Sequence, residues 1–251
     1  MTTPGAGGVS GPTRRRAGTE VVEVQTPLGS GRFFLDVAAA PAALLVLGHG
    51  AGGGVTAADL ELLARRLPPL GVTVARFEQP WRTAGGRVAV APPRLDVGWR
   101  AGVEWLLDPH GSPLGPSAAT TPLFFGGRSA GARVACRTAP HFPVAGVVCL
   151  AFPLHLPGRP EKSRLPELLT PTVPRLVLQG SSDSFGGAAE LRAALDTAAR
   201  EAVASVSVVE LPGADHSFRL PKASPFTPAD LRESVLAEVA AFLLVPRESG
   251  E

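Results

Sequence analysis

Leu123-Phe-Phe-Gly-Gly-Arg-Ser-Ala-Gly-Ala-Arg133 decides how the rest of this 251-residue chain is read. The apolar run from Pro122 to Phe125 predicts a buried strand, and Ala132 to Ala139 predicts a helix. Between them Gly127, Ser129 and Gly131 fit G-x-S-x-G at a strand-to-helix turn. Such a turn strains the serine backbone and exposes its hydroxyl beyond the strand end. Glycines are required where backbone and helix approach too closely for a Cβ. The helix behind the turn directs its N-terminus at the serine, where developing negative charge is stabilised. Taken alone, the same five residues also describe a Gly-rich turn with an incidental serine.

A nucleophilic serine needs a base, and the base needs an orienting carboxylate. Two downstream loops supply them. Arg175-Leu-Val-Leu-Gln179 reads as a strand and is followed by Gly180-Ser-Ser-Asp-Ser-Phe-Gly-Gly187. Ser205-Val-Ser-Val-Val-Glu-Leu211 reads as a strand and is followed by Pro212-Gly-Ala-Asp-His-Ser-Phe218. The chain order is therefore Ser129, Asp183, His216. Val144 to Leu150 forms one further strand between the serine and the acid. Asp215 is a rival acid, but a carboxylate adjacent in sequence points poorly toward the same imidazole. Asp36 and Asp196 lie inside predicted elements and fit less well.

Oxyanion stabilisation calls for backbone N–H donors. Leu44-Leu-Val-Leu47 is a strand run, followed by Gly48-His-Gly-Ala-Gly-Gly-Gly54. The N–H groups of Ala51 and Ala130 are the expected donors. This turn lacks the Lys-Ser/Thr ending of a P-loop and the spacing of a dinucleotide-binding turn.

These four elements together resemble the α/β-hydrolase superfamily over roughly residues 19–245, and the order serine, acid, histidine is the order of its triad. The finer resemblance is to small dienelactone-hydrolase-like predicted hydrolases, whose eukaryotic relatives include a testis-expressed protein and a subunit of a histone acetyltransferase complex. It rests on His49-Gly-Ala-Gly-Gly53, Gly127-Arg-Ser-Ala-Gly131, Gln179-Gly-Ser-Ser-Asp-Ser-Phe-Gly186 and Ala214-Asp-His-Ser-Phe218. The resemblance implies an α/β-hydrolase fold and a working triad. Dienelactone hydrolases proper use cysteine where this chain has Ser129, so their substrate is not implied.

Composition agrees with one α/β domain: 251 residues, 45% of them apolar, bury a substantial core. Net charge is +2, but Arg14-Arg-Arg16 lies before the first strand, and without residues 1–18 the balance is −1. A nucleic-acid partner is therefore not expected. Nor is a membrane partner: no run reaches the roughly 18–20 apolar residues of a spanning helix. The arginine triplet precedes no apolar segment of a secretory signal, so a cytoplasmic protein is expected. Cys136 and Cys149 are too few for a disulfide scaffold and read as buried small hydrophobes. No histidine cluster has metal-ligand spacing, and neither metal nor organic cofactor is expected.

Along the chain, residues 1–18 read as a disordered tail, 19–245 as the domain, and 246–251 as a flexible end. Strands are expected near 19–26, 31–38, 43–48, 72–77, 121–126, 145–150, 175–179 and 205–210. The first two alternate and form a hairpin; the later ones are short and apolar, which predicts a parallel sheet covered on both faces. Helices are expected near 56–67, 94–107, 129–139, 186–201 and 228–244, the last capped by Thr227-Pro228. The expected architecture is thus a mostly parallel eight-stranded sheet with helices on both faces.

Two connections, Glu78 to Pro93 and Ala151 to Pro174, are long and follow strands, which places them at the ligand-binding edge. Neither is long enough for a separate cap domain. They carry Trp81, Arg82, Arg87 and His155, which with Arg128 are candidate substrate contacts. The arginines would suit a substrate carboxylate. The competing reading for Arg128 is an internal ion pair, for instance to Glu78 or Asp183. His49 is expected to brace the oxyanion loop, and His110 and His141 to lie on the surface. The expected chemistry is cleavage of a small or medium ester-like substrate through an acyl-enzyme. The alternatives are a catalytically silent binding or scaffold protein, or an intracellular peptidase.

Overall fold

The computed structural model describes residues 18–199, 203 and 205–245. The readings of residues 1–17 and 246–251 lie outside the described residues. Eight strands form one sheet: β1 (Glu20–Thr26), β2 (Gly29–Asp36), β3 (Ala43–Gly48), β4 (Val72–Glu78), β5 (Leu123–Arg128), β6 (Val144–Leu150), β7 (Arg175–Gly180) and β8 (Val206–Leu211). Their spatial order is β1-β2-β4-β3-β5-β6-β7-β8. β2 runs antiparallel to both β1 and β4, and the pairings from β4 through β8 are parallel. This is the α/β-hydrolase fold anticipated from the sequence. The hairpin is tighter than expected: Thr26 pairs with Gly29, so β2 begins two residues early, with Gly29 at φ 102°. Neither turn residue, Pro27 or Leu28, has a positive φ; Gly29 takes it in the position after the turn, where the missing Cβ removes the steric cost.

The continuous apolar runs of β3, β5 and β7 are buried on both faces. In β3, Leu44 and Val46 face one hydrophobic layer, while Ala43, Leu45 and Leu47 face the other, as the two-residue period of a strand requires. The first layer packs under α3 (Pro92–Leu107), α5 (Ala130–Thr138) and α7 (Ala188–Asp196) through Trp99, Val103, Val134 and Leu191. The second packs under α1 (Ala58–Arg66) and the C-terminal α8 (Pro228–Leu244) through Leu60, Leu63, Val235 and Val239. α8 starts at a reciprocal cap: Thr227 Oγ1 accepts from Asp230 N, and Asp230 accepts from Thr227 N.

Three four-residue helices were not anticipated: α2 (Pro80–Thr83), α4 (Ser117–Thr120) and α6 (Leu165–Leu168). They are one turn long and show no periodicity to read. α7 ends at Asp196, short of its expected end. Among the described residues, no inserted domain covers the carboxyl ends of the strands, and no helix is long and apolar enough to cross a membrane.

Candidate active site

Ser129 sits between β5 and α5 at φ 52°, ψ −111°, a conformation that L side chains rarely adopt. Close backbone packing holds it there. A Cβ on Gly131 would lie 2.3 Å from the Gly48 carbonyl oxygen, and one on Gly127 would lie 2.6 Å from the Gly131 carbonyl carbon. The elbow is therefore wedged between its own helix and the end of β3. Ser129 N donates to Leu150 O at 2.9 Å, tying the turn to β6.

Asp183 and His216, at the ends of β7 and β8, meet Ser129 at the same edge. Ser129 Oγ lies 2.9 Å from His216 Nε2, and His216 Nδ1 lies 2.8 Å from Asp183 Oδ2. The Asp183 side chain is fully buried, while that of His216 is 19% exposed. A buried carboxylate needs donors for its remaining lone pairs. Phe185 N donates to Oδ1 at 2.8 Å, and Gln179 Nε2 donates to Oδ2 at 3.0 Å. The Phe185 ring packs on the imidazole with centroids 4.2 Å apart. Asp215 does not compete: its Oδ1 accepts from Ser217 N at 2.7 Å and Arg219 N at 2.9 Å, shaping its own loop.

The Gly48–Gly54 loop faces the elbow. His49 is buried and bonded at both ring nitrogens: Nδ1 lies 2.9 Å from Gly50 O, and Nε2 accepts from Gln79 N at 3.2 Å. Burial holds its imidazole below the usual histidine range, which matches the accepting role of Nε2. The N–H groups of Ala51 and Ala130 have no acceptor among the described residues. Both residues line a small cavity at the start of α5, together with Trp81, Leu95, Trp99 and Val134; Ser129, one residue before Ala130, does not itself line it.

The five candidate substrate contacts separate. Trp81 packs against His49 with ring centroids 5.6 Å apart and borders the small cavity. Arg82 donates to Gly86 O at 3.1 Å and is half-buried, and Arg87 is exposed. His155 turns away from the serine: it is buried against Glu190 Oε1 at 2.8 Å, in the wall of a separate groove of about 570 Å³ beside α7. Ser129, Asp183 and His216 do not line that groove.

Arg128 makes an internal ion pair, one of the two readings open to it from the sequence. Its Nη1 lies 2.6 Å from Asp59 Oδ2, with side chains 13% and 7% exposed. Its Nη2 donates to the His216 carbonyl, and the guanidinium lies 5.6 Å from the centre of the Phe218 ring. The partner is thus Asp59 on α1, not Glu78 or Asp183. Glu78 faces Arg32 at 3.8 Å. Sequence reasoning missed Asp59 and Gln179. Asp59 stands 69 positions before Arg128, and no spacing connects them. Gln179 stood in the sequence as a polar residue ending an apolar strand and opening one of the motifs of the resemblance, but neither signal gave it a role.

Residues 41–244 match the family described as alpha/beta hydrolase domain.

The chain belongs to the α/β-hydrolase domain family.

No curated protein matches it in sequence. Among solved structures, XC6422 from Xanthomonas campestris, described as an a/b serine hydrolase without lid, is 21% identical. It superposes with a TM-score of 0.67, covering 94% of this chain and all of its own. A dienelactone hydrolase from Anabaena variabilis is 18% identical, with a TM-score of 0.63 and coverage of 90% and 97%. The carboxylesterase EstE1, from a metagenomic library, is 19% identical, with a TM-score of 0.62 and coverage of 90% of each chain. At these identities the likeness carries the α/β-hydrolase fold. Cys136 and Cys149, both free and buried, lie on α5 and β6 with their sulfurs 3.6 Å apart.

Proposed function

We propose that the protein is a serine esterase acting on small or medium esters through an acyl-enzyme. The observation that carries this reading is the continuous relay from Ser129 Oγ through His216 to the buried Asp183, at 2.9 and 2.8 Å, starting from a serine at φ 52°. Ser129 Oγ attacks the ester carbonyl while His216 Nε2 takes its proton. Asp183 holds Nδ1–H in the productive tautomer and stabilises the imidazolium. The N–H groups of Ala51 and Ala130 hold the oxyanion, assisted by the N-terminus of α5. His216 returns its proton to the leaving alkoxide. A water deprotonated by His216 then attacks the acyl-serine, releases the acid and restores Ser129.

Arg128 supports the same reading indirectly. It bonds the His216 carbonyl from the residue preceding the nucleophile, so one side chain ties the base-bearing loop to the elbow. The absence of an inserted domain above the strand ends, among the described residues, favours an accessible site. Serine at position 129, where dienelactone hydrolases carry cysteine, favours ordinary esters over their substrates.

A fluorophosphonate probe should label the full-length protein at Ser129, with p-nitrophenyl acetate turned over in parallel. Ser129→Ala should abolish labelling and lower kcat by about 10⁴–10⁶ while the protein stays folded. A variant that keeps a tenth of the rate would place the nucleophile elsewhere.

A further inference from the structure

We infer that the small cavity against Ala51 and Ala130 is the acyl subsite and that it takes an acetyl group in preference to longer acyl chains. The inference rests on the serine-esterase reading above. It begins from the order of strands at the catalytic edge. β7 and β8, which carry Asp183 and His216, lie on one side of β5. β3 and β4 lie on the other side, and their loops supply Ala51 and Trp81.

The tetrahedral intermediate has four substituents on its central carbon. One is Ser129 Oγ, and another is the oxyanion, held by Ala51 and Ala130 N–H. The leaving oxygen must lie within reach of His216 Nε2, because that nitrogen protonates it. The acyl chain takes the remaining direction, away from His216 and toward the β3–β4 side. The cavity lies on that side.

Its size then decides what fits. The free space is about 10 Å³, enough for one water-sized sphere. The walls are large and braced. Trp99 is fully buried and makes edge contacts with Phe77 at 6.2 Å and Phe125 at 5.3 Å. Trp81 rests on His49, whose two ring nitrogens are both bonded. Leu95 and Val134, from α3 and α5, are 7% and 2% exposed and complete the apolar lining. Cores packed in this way resist added methylenes. Trp81, in the loop after β4, is the wall most readily removed, because it is half-buried while Trp99 is central to a hydrophobic layer.

The test is a ladder of p-nitrophenyl acetate, propionate, butyrate and hexanoate, run with the full chain and with fluorophosphonate labelling of the same preparation. One unaccommodated methylene costs roughly 10–200-fold in discrimination. The expected result is kcat/KM for butyrate at least tenfold below acetate, with hexanoate lower still. Trp81→Ala should raise the butyrate-to-acetate ratio at least tenfold. Leu95→Ala supplies the same test if the first variant does not fold. Butyrate or hexanoate cleaved as well as acetate, with Ser129 labelled, would overturn the acyl-length inference and leave the esterase reading standing. So would a ratio unmoved in both variants. Failure of labelling together with failure on every ester would overturn the esterase reading itself, and this inference with it.

Discussion

The two sides of the catalytic edge are held by different physics. On the side of Ser129 and the Gly48–Gly54 loop, position is enforced by exclusion: backbones meet at distances that leave no room for a Cβ at Gly127 or Gly131. On the side of Asp183 and His216, position is enforced by donors and acceptors. Gln179, Phe185 N and Arg128 each hold one atom of the acid or the base loop. A steric lock fails by unfolding its neighbourhood. A hydrogen-bonded one fails by letting a group drift in a protein that remains folded. Damage to the first should therefore appear mainly in stability, and damage to the second mainly in kcat.

Among substitutions that set the two sides against each other, the largest expected effect belongs to the acid. Asp183→Asn should lower kcat by about 10³–10⁴, with little change in KM or melting temperature, because the neutral amide no longer fixes the imidazole tautomer. Asp215→Asn should cost far less, since that carboxylate serves its own turn. Steady-state kinetics of the pair decide it, and the reverse ranking would move the acid to Asp215.

Gly131→Ala attacks the steric side. Its Cβ would meet Gly48 backbone at 2.3 and 2.4 Å, and overpacking of this kind costs roughly 1–3 kcal/mol or more. Thermal denaturation should show a fall of about 5–10 °C. Gly52→Ala is the matched control, because a Cβ there meets nothing within 4 Å. Equal melting temperatures for the two variants would end the distinction drawn above.

Arg128→Met probes the seam between the two sides. Releasing the His216 carbonyl should cost about ten- to a hundredfold in kcat, with KM changed less than threefold, as expected when a catalytic group shifts by an ångström or less. Arg128→Lys should recover only part of the loss, since one ammonium cannot bridge Asp59 and the carbonyl in a fork. If Arg128→Met instead raised KM selectively for anionic esters, the guanidinium would be a substrate contact after all. Deleting residues 1–18 should have the smallest effect, leaving melting temperature and esterase rate within error, because the segment has no periodic apolar residues to pack. A fall of several degrees would show that it docks on the domain.

The fold was legible because each strand announces itself through burial. β3 is apolar throughout, and β5 and β7 are built on the apolar runs Leu123–Phe125 and Leu176–Leu178, while β2 alternates, and the loops between them carry Gly, Pro and Asp. The elbow was legible for a related reason: the glycine spacing around Ser129 is the chemical trace of a steric requirement. Arginine roles were not legible. The chain has 22 arginines, and composition does not say which carboxylate each one meets. Arg128 finds Asp59 only because α1 packs beside the elbow. His155 finds Glu190 only because α7 lies behind the loop after β6. Such pairings are properties of the assembled layers, and no local pattern encodes them.

The amide of Gln179 has a further consequence. Its nitrogen carries two hydrogens and faces three acceptors: Phe152 O at 3.2 Å, Gly186 O at 2.7 Å and Asp183 Oδ2 at 3.0 Å. Its own oxygen is buried with no partner. The proton inventory at this junction is one short. A carboxylate attracts a donor more strongly than a carbonyl does, so the deficit falls on the main chain of the two flanking loops and not on the acid. The carboxylate also accepts from Phe185 N on its other oxygen at 2.8 Å, so it stays hydrogen-bonded whichever main-chain acceptor goes short.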